Sequence, residues 1–276
     1  MNKAQCTESQ LAGFVNRLPL MPGNIDKVFY AQDHLEQEND LLDVIKHDPG
    51  LCADVLHIAN SMFSQRVETI EQALHSVGLK PIIEQLVEIA HDEQSLRGQM
   101  VNSACLGEYY AHSQEIAFGC KLLAQAANMP AHQVDIYEVA GLIHDIGRLV
   151  TMLARDVNII ELMGSSIEQM QSILEDEQLL IGMDHCQVGA MVCQKWNLSA
   201  TLIDGVLRHH DPVRPESSSK AAAVIFASHF LGLYGLMDVS AMMPQEILRC
   251  IGLDRTGFDL TAREFSDRLE PTAIIK

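Results

Sequence analysis

The stretch GLIHDIGRL, residues 141–149, sets His144 beside Asp145 among apolar residues. Two ionisable neighbours in a core segment must bond each other and the backbone, or hold a cation. Adjacent side chains on a helix project about 100° apart, so both can reach an ion lying against that face. A His-Asp dipeptide alone is common by chance, and the other histidines decide what it means. Glu108 and His112 lie four apart, on one face of an expected helix. His209 and His210 stand together in LRHHDP, near a helix end, and His185 opens another helix in GMDHCQVG. Imidazole and carboxylate donors spread over four helices suit one or two divalent transition-metal ions: iron, manganese, zinc or nickel. Two ions sharing a carboxylate would polarise a phosphoryl oxygen and activate a water. From the residues alone the alternative stays open that these are scattered capping and surface histidines. His34, His47, His57, His75 and His91 sit in the first half without a pattern.

The elements that must carry these residues read as helices throughout. Apolar residues make up 47% of the chain and aromatics 5%, a mix that suits helices better than a sandwich or barrel. IDKVFYAQDHLEQ follows the turn residues of LPLMPGN, and ENDLLDVIKH has Asn39 as a candidate cap and Pro49 as its stop. LCADVLHIANSMF, IEQALHSVGL and PIIEQLVEIAHDEQ show apolar spacing at i, i+3 and i+4. A long helix is expected through SACLGEYYAHSQEIAFGCKLLAQAANM, ending before Pro130. The next is expected as one helix, HQVDIYEVAGLIHDIGRLVTMLARD, with His144 and Asp145 in its middle. SIEQMQSILEDEQLLIG, DHCQVGAMVCQKWN and SATLIDGVLRHHDP follow, the last bounded by Ser199 and Pro212. The expected division is an N-terminal helical part over 1–102, a metal-binding bundle over 103–238 and a helical tail over 239–276.

Several functions are disfavoured. The net charge of −18, without a basic patch, argues against nucleic acid as a partner. Seven cysteines, an odd number with no Cys-x-x-Cys pair, read as buried thiols in a reducing cytoplasm rather than a disulfide framework. Cys186 and Cys193, seven apart on one face, read as core, and Asp184 reads as a helix cap. The N-terminus lacks a secretory apolar run, and the uncharged segment from Ala221 to Met237 reads as a buried helix rather than a membrane span. No Gly-rich phosphate loop or Gly-x-Ser-x-Gly elbow occurs. LEDEQ reads as a solvated acidic run, and Trp196 as packing a helix end.

With HDIG preceded by a helical histidine and followed by DHCQVGAMVCQKWNLSATLIDGVLRHHDP, the chain resembles the HD superfamily of metal-dependent phosphohydrolases. More narrowly, it resembles the HDOD family of bacterial signalling proteins. LPLMPG, VIKHDPGLCADVLHIANSMF and TIEQALHSVGLKPI, in that order, carry the likeness into the first half, so that it spans roughly residues 15–237. The resemblance implies an all-α protein, an N-terminal helical HDOD subdomain packed on an HD-like bundle. It places His112 at the superfamily's first histidine and His144–Asp145 at its name-giving pair. His185, His209 and His210 fall at further ligands of binuclear HD-GYP relatives, and Glu108 where some of these carry an extra carboxylate. Arg148 stands where many HD enzymes have a lysine and is expected to meet a substrate phosphate. The chain departs from the pattern at the last aspartate, where FASHFL offers Ser228 or His229. His229 either faces the site and replaces the missing ligand or turns into the core.

Three readings follow. The favoured one is a cytoplasmic signal-output protein that works through signalling partners in trans and keeps a metal site. The second is an active phosphohydrolase or phosphodiesterase on a phosphorylated small molecule or nucleotide, with Asp145 bridging two ions. The third is a metal-free scaffold.

Overall fold

The computed structural model describes residues 22–33, 38–62, 66–96, 103–155, 173–179, 182–214 and 217–269. Residues 18–21 of the expected turn LPLMPG and the first half of the helix expected from Ser166 lie outside these residues, and Pro22 and Gly23, expected in the turn, form the first turn of a helix instead. What is described is helical apart from a hairpin of two-residue strands, β1 (Val213–Arg214) and β2 (Ser217–Ser218). The fold class is all-α.

The first part of the chain forms α1 (Pro22–Asp33), α2 (Glu38–His47), α3 (Pro49–Met62), α4 (Ile70–Val77) and α5 (Leu79–Leu96). Asp48 does two jobs between α2 and α3. Its Oδ1 accepts the Leu51 N–H at 3.0 Å, capping α3, while Oδ2 accepts from Asn24 Nδ2 at 2.7 Å. Pro49 therefore ends one helix and, at the first-turn position where its missing N–H costs nothing, begins the next. Thr69 caps α4, and Gly78 ends it with φ at 87°.

The second part forms α6 (Ser103–Ala126), α7 (Ala131–Ile143), α8 (Ile146–Arg155), α9 (His185–Lys195), α10 (Ala200–Arg208) and α11 (Lys220–Leu231). Residues 173–179 are a further helical stretch before α9. After them come α12 (Val239–Met242), α13 (Gln245–Ile251) and α14 (Arg255–Arg268), the last two packed on α11. Helix α6 lies against α7 and α11, α9 against α8 and α10, and α3 of the first part against α7. Asp184 caps α9 with a reciprocal capping box to Gln187, and Ser199 caps α10 through the Leu202 N–H.

One expected element is corrected. The segment from His132 to Asp156 is not one helix: α7 ends at Ile143, and α8 begins at Ile146. His144 and Asp145 form the corner between them. Apolar periodicity runs unbroken through the corner because both helices bury the same kind of face, so the break leaves no hydrophobic signature.

Two glycines set the helix spacing around this corner. A Cβ on Gly141 of α7 would lie 2.8 Å from Cys120 Sγ and 3.0 Å from the Ala117 Cα, both on α6. A Cβ on Gly147 would lie 2.0 Å from the His185 carbonyl oxygen and 2.6 Å from the Gly189 nitrogen. Only a residue without a side chain lets α8 touch the α9 backbone there. Among the described residues no helix is long and apolar enough to cross a membrane. The apolar segment beginning at Ala221 forms α11, a core helix.

Candidate metal centre

The helices deliver their histidines to one place. His112 comes from α6, the pair His144–Asp145 from the α7–α8 corner, and His185 from the start of α9. His209 and His210 follow the end of α10, and His229 comes from α11. At the centre is Asp145, 3% exposed. Its two oxygens face different sets of rings. Oδ1 lies 3.1 Å from His185 Nε2 and 3.5 Å from His209 Nε2. Oδ2 lies 3.4 Å from His144 Nε2 and 3.9 Å from His112 Nε2. The ring of His229 lies 5.1 Å from that of His144 and 5.3 Å from that of His112, centroid to centroid. His229 therefore stands beside this second set, on the side where the superfamily pattern leads one to look for an aspartate.

The ring orientations are fixed from behind. His144 Nδ1 donates to the Gly141 carbonyl at 2.8 Å, His209 Nδ1 to Val206 at 2.7 Å, and His229 Nδ1 to Ile225 at 2.9 Å. His185 Nδ1 donates to Glu177 Oε2 at 2.6 Å, and the same oxygen accepts the His185 backbone N–H at 2.8 Å. A carbonyl or carboxylate oxygen only accepts, so Nδ1 carries the proton in each ring. In the neutral ring Nε2 is then left with its lone pair. These lone pairs converge. His185 Nε2 is 3.3 Å from His209 Nε2 and 3.1 Å from His210 Nε2. Such contacts need a positive species between the nitrogens, either a proton on one Nε2 or a bound cation.

The donor set fits a metal. Nitrogens bound about 2.0–2.1 Å from one ion, at right-angle or tetrahedral positions, lie roughly 2.8–3.4 Å from each other. The ring nitrogens of His185, His209 and His210 and Asp145 Oδ1 lie near that spacing. His144 Nε2 is buried without a hydrogen-bond partner. Anchoring of a ring at the nitrogen opposite the metal is the usual support for a ligating histidine.

Charge is arranged to match. Burial works against ionisation of Asp145, but the Arg148 guanidinium and the His144 and His185 rings outweigh it and hold the carboxyl well below the usual carboxylate range. Burial, with the neighbouring rings, pushes His112 down to about 3 and moves His210 and His229 below the normal imidazole range. His209 goes the other way, to about 9: burial opposes its charge, but Cys186 and Asp145 favour it. Protons and cations thus compete for the same nitrogens.

Three residues are placed otherwise than their sequence context suggests. Glu108 is exposed, and the described donor groups do not include it. The i, i+4 spacing sets it about 6 Å along α6 from His112, off the cluster. Arg148, expected to meet a phosphate, is 5% exposed with Nε 2.9 Å from Asp145 Oδ2, and so braces the carboxylate. Glu177, read as part of a solvated acidic run, is 1% exposed and clamps His185, although its neighbours Glu175 and Asp176 are indeed exposed. Ser228, the alternative to His229, faces away and donates to the Ile116 carbonyl at 3.0 Å. Outside the cluster, His57 stacks on Trp196 and His91 packs on Phe29.

Comparison with known proteins agrees with this architecture. The HDOD domain matches residues 18–212, well over half of the chain. The chain belongs to the HDOD family. It is 25% identical over 218 residues to an uncharacterized protein of Treponema pallidum (strain Nichols), a match that covers 75% of this chain and 40% of the relative. It is 27% identical over 176 residues to a ribonuclease Y of Sulfurovum sp. (strain NBC37-1), covering 63% of this chain and 27% of that protein. The chain thus spans less than half the length of either curated relative. Among solved structures, the MmoQ response regulator of Methylococcus capsulatus str. Bath superposes with a TM-score of 0.65 at 16% identity, over 90% of this chain and 98% of that one. That likeness is one of fold.

Proposed function

We propose that this HDOD protein is a signal-transduction component whose helical core holds one or two divalent transition-metal ions. One observation carries the reading. Four imidazoles, each anchored at Nδ1 by a carbonyl or carboxylate oxygen, turn Nε2 toward a common centre beside a buried aspartate. Iron, manganese, zinc or nickel suits such donors. His144 and His112, with His229, would hold an ion on the Oδ2 side of Asp145. His185, His209 and His210 would hold one on the Oδ1 side. The resemblance of the fold to a response regulator supports the signal-transduction role, and signalling partners acting in trans are the proposed route of output.

A second reading, phosphoester hydrolysis, is favoured by a specific feature. His112, His210 and His229 are only partly buried, so the cluster reaches the surface on one side. Divalent ions held there would supply Lewis-acid chemistry toward a phosphate ester. The residues' own parts are then defined. Asp145 stays ionised between the two sets, Arg148 holds it in place, and Glu177 fixes the His185 tautomer. The ribonuclease Y relative points to phosphodiesters as the bond class to test, and the net charge of −18 points to short substrates or nucleotides rather than long nucleic acid.

The test is metal analysis of untagged protein beside His144→Ala. About one to two equivalents of a transition metal, lost in the variant, is the expected result. Protein that takes up no metal, even after anaerobic reconstitution with iron, manganese or zinc, overturns the metal reading and hydrolysis with it. Loaded protein is then screened on phosphodiesters and nucleotides, and turnover separates the second reading from the first.

A further inference from the structure

The two halves of the cluster differ in donor chemistry. On the Oδ2 side of Asp145 the donors are ring nitrogens of His112, His144 and His229 together with carboxylate oxygen. On the Oδ1 side there is also a sulfur. Cys186 Sγ lies 3.6 Å from His185 Nε2 and 3.9 Å from both ring nitrogens of His209. The donor atoms of His185, Cys186, His209 and His210 all fall within 4.8 Å of one another. Cys186 is 5% exposed and stands apart from the other buried thiols. Cys52, Cys120 and Cys193 are packed in the apolar core, whereas Cys186 is not part of it. The spacing that makes Cys186 and Cys193 look like a pair of core residues thus separates two different environments on α9.

Distances discriminate between a packing thiol and a ligand. A tetrahedral zinc site with sulfur at about 2.3 Å and nitrogen at about 2.0–2.1 Å places sulfur roughly 3.6 Å from each nitrogen and the nitrogens roughly 3.3 Å apart. The separations here are 3.6 and 3.9 Å for sulfur to nitrogen, and 3.1 and 3.3 Å for nitrogen to nitrogen. These four separations lie close to the edges of one coordination tetrahedron, and all four donor atoms fall within 4.8 Å of one another. Two of them, His185 and Cys186, are consecutive at the first turn of α9, where the Asp184 cap fixes the backbone from which both project.

We infer that Cys186 is a metal ligand, and that His185, Cys186, His209 and His210 form a mixed nitrogen–sulfur site selective for a borderline-soft divalent ion of the zinc or cobalt(II) type. This rests on the metal reading above and assigns a different donor set to each half of the cluster. The thiol gives its proton to solvent on coordination and binds as thiolate. Thiolate favours zinc over manganese, so manganese is left to the nitrogen–oxygen half. The two halves are then chemically unequal, and a mixed-metal centre becomes the natural loading.

Cobalt(II) reports on both levels. Full-length metal-free protein titrated with cobalt(II) should develop visible ligand-field bands from the histidines and a near-ultraviolet thiolate-to-cobalt charge-transfer band. In Cys186→Ser and Cys186→Ala the charge-transfer band should vanish while visible bands persist, and zinc affinity should fall by about tenfold or more. Visible bands without charge transfer in the wild-type protein overturn the sulfur assignment alone, as does a charge-transfer band that survives in both variants. Absence of any cobalt spectrum, with no metal retained, overturns the metal reading and this inference together. X-ray absorption on the zinc-loaded wild-type protein needs no variant to fold. A sulfur scatterer at about 2.3 Å supports the assignment, and a shell of nitrogen and oxygen alone refutes it.

Discussion

Gly147→Ala is the sharpest test of how the fold builds the centre, because the residue touches no ligand side chain and carries no chemistry. The added Cβ would lie 2.0 Å from the His185 carbonyl oxygen and 2.6 Å from the Gly189 nitrogen. Ordinary contact begins near 3.4 Å, so α8 and α9 must separate by about 1.4 Å there, a strain that no side-chain rotation relieves. Asp145 precedes α8, and His185 opens α9, with 3.1 Å between Oδ1 and Nε2. Added along that line, the displacement leaves them about 4.5 Å apart, outside the span two donors of one ion can bridge. Overpacking of backbone on backbone belongs at the upper end of the usual range, about 3 kcal/mol, which lowers Tm by roughly 6–12 °C in a domain of this size. Thermal melting of the metal-free protein measures the first effect, and zinc or cobalt titration the second. Loss of affinity in a variant that is still folded at the assay temperature is the expected outcome. A variant with unchanged Tm and unchanged affinity would show that the contact between α8 and α9 does not set the site, and the reasoning fails.

Other outcomes follow from the same geometry. Glu177→Gln removes the charge from the oxygen that accepts both His185 Nδ1–H and its backbone N–H, and should weaken metal binding about 10–100-fold while leaving helix content unchanged. If His229 takes the place of the absent carboxylate, His229→Ala should lower the metal stoichiometry and His229→Asp should retain it, read by elemental analysis. Metal affinity should rise with pH. His185 and His209 have raised affinity for protons, to about 9 for His209, and each must be free at Nε2 to ligate, so acid competes with metal. The slope should approach about tenfold per pH unit for each proton released, and a pH-independent affinity between 6 and 9 would contradict this donor set.

The residues that announce the centre in sequence are those whose type is already unusual where they stand. His144 and Asp145 in an apolar run, the doubled His209–His210, and His185 after a capping aspartate all carry their own signal. Helix starts at Asp184 and Ser199 are legible for the same reason, since each is a short polar side chain before a helical pattern. Glu177 is invisible because it sits between acidic neighbours that are truly solvated, and its target lies eight residues on. Cys186 is masked because a cysteine on a buried face looks the same whether its neighbour is leucine or imidazole. Glu108 misleads in the other direction: i, i+4 spacing guarantees a shared face, but not that both residues lie at the level where the other helices arrive. The break at His144–Asp145 is hidden because hydrophobic periodicity reports burial and is blind to a two-residue interruption between helices.

The position of α9 suggests how a buried centre can matter to a protein that works through partners. At its start stands His185, held by Glu177 and facing Asp145. At its end Trp196 stacks on His57 of α3, rings 5.1 Å apart, which ties the helix to the first part of the chain. Eleven residues of α-helix separate the two ends by about 16 Å, a rigid element short enough to pass a shift at one end to the other. A second tie runs alongside, where Gln114 on α6, two residues from His112, donates to the His47 carbonyl at 2.7 Å. Without an ion, His185 and His209 take up protons at Nε2 beside Asp145 Oδ1, so protons and metal exchange in the space between α9 and α10. Occupancy of the centre would therefore act on the same helix that meets the first part of the chain through Trp196 and His57. On the proposed reading, that linkage lets metal state bias the surface offered to a signalling partner without any need for turnover.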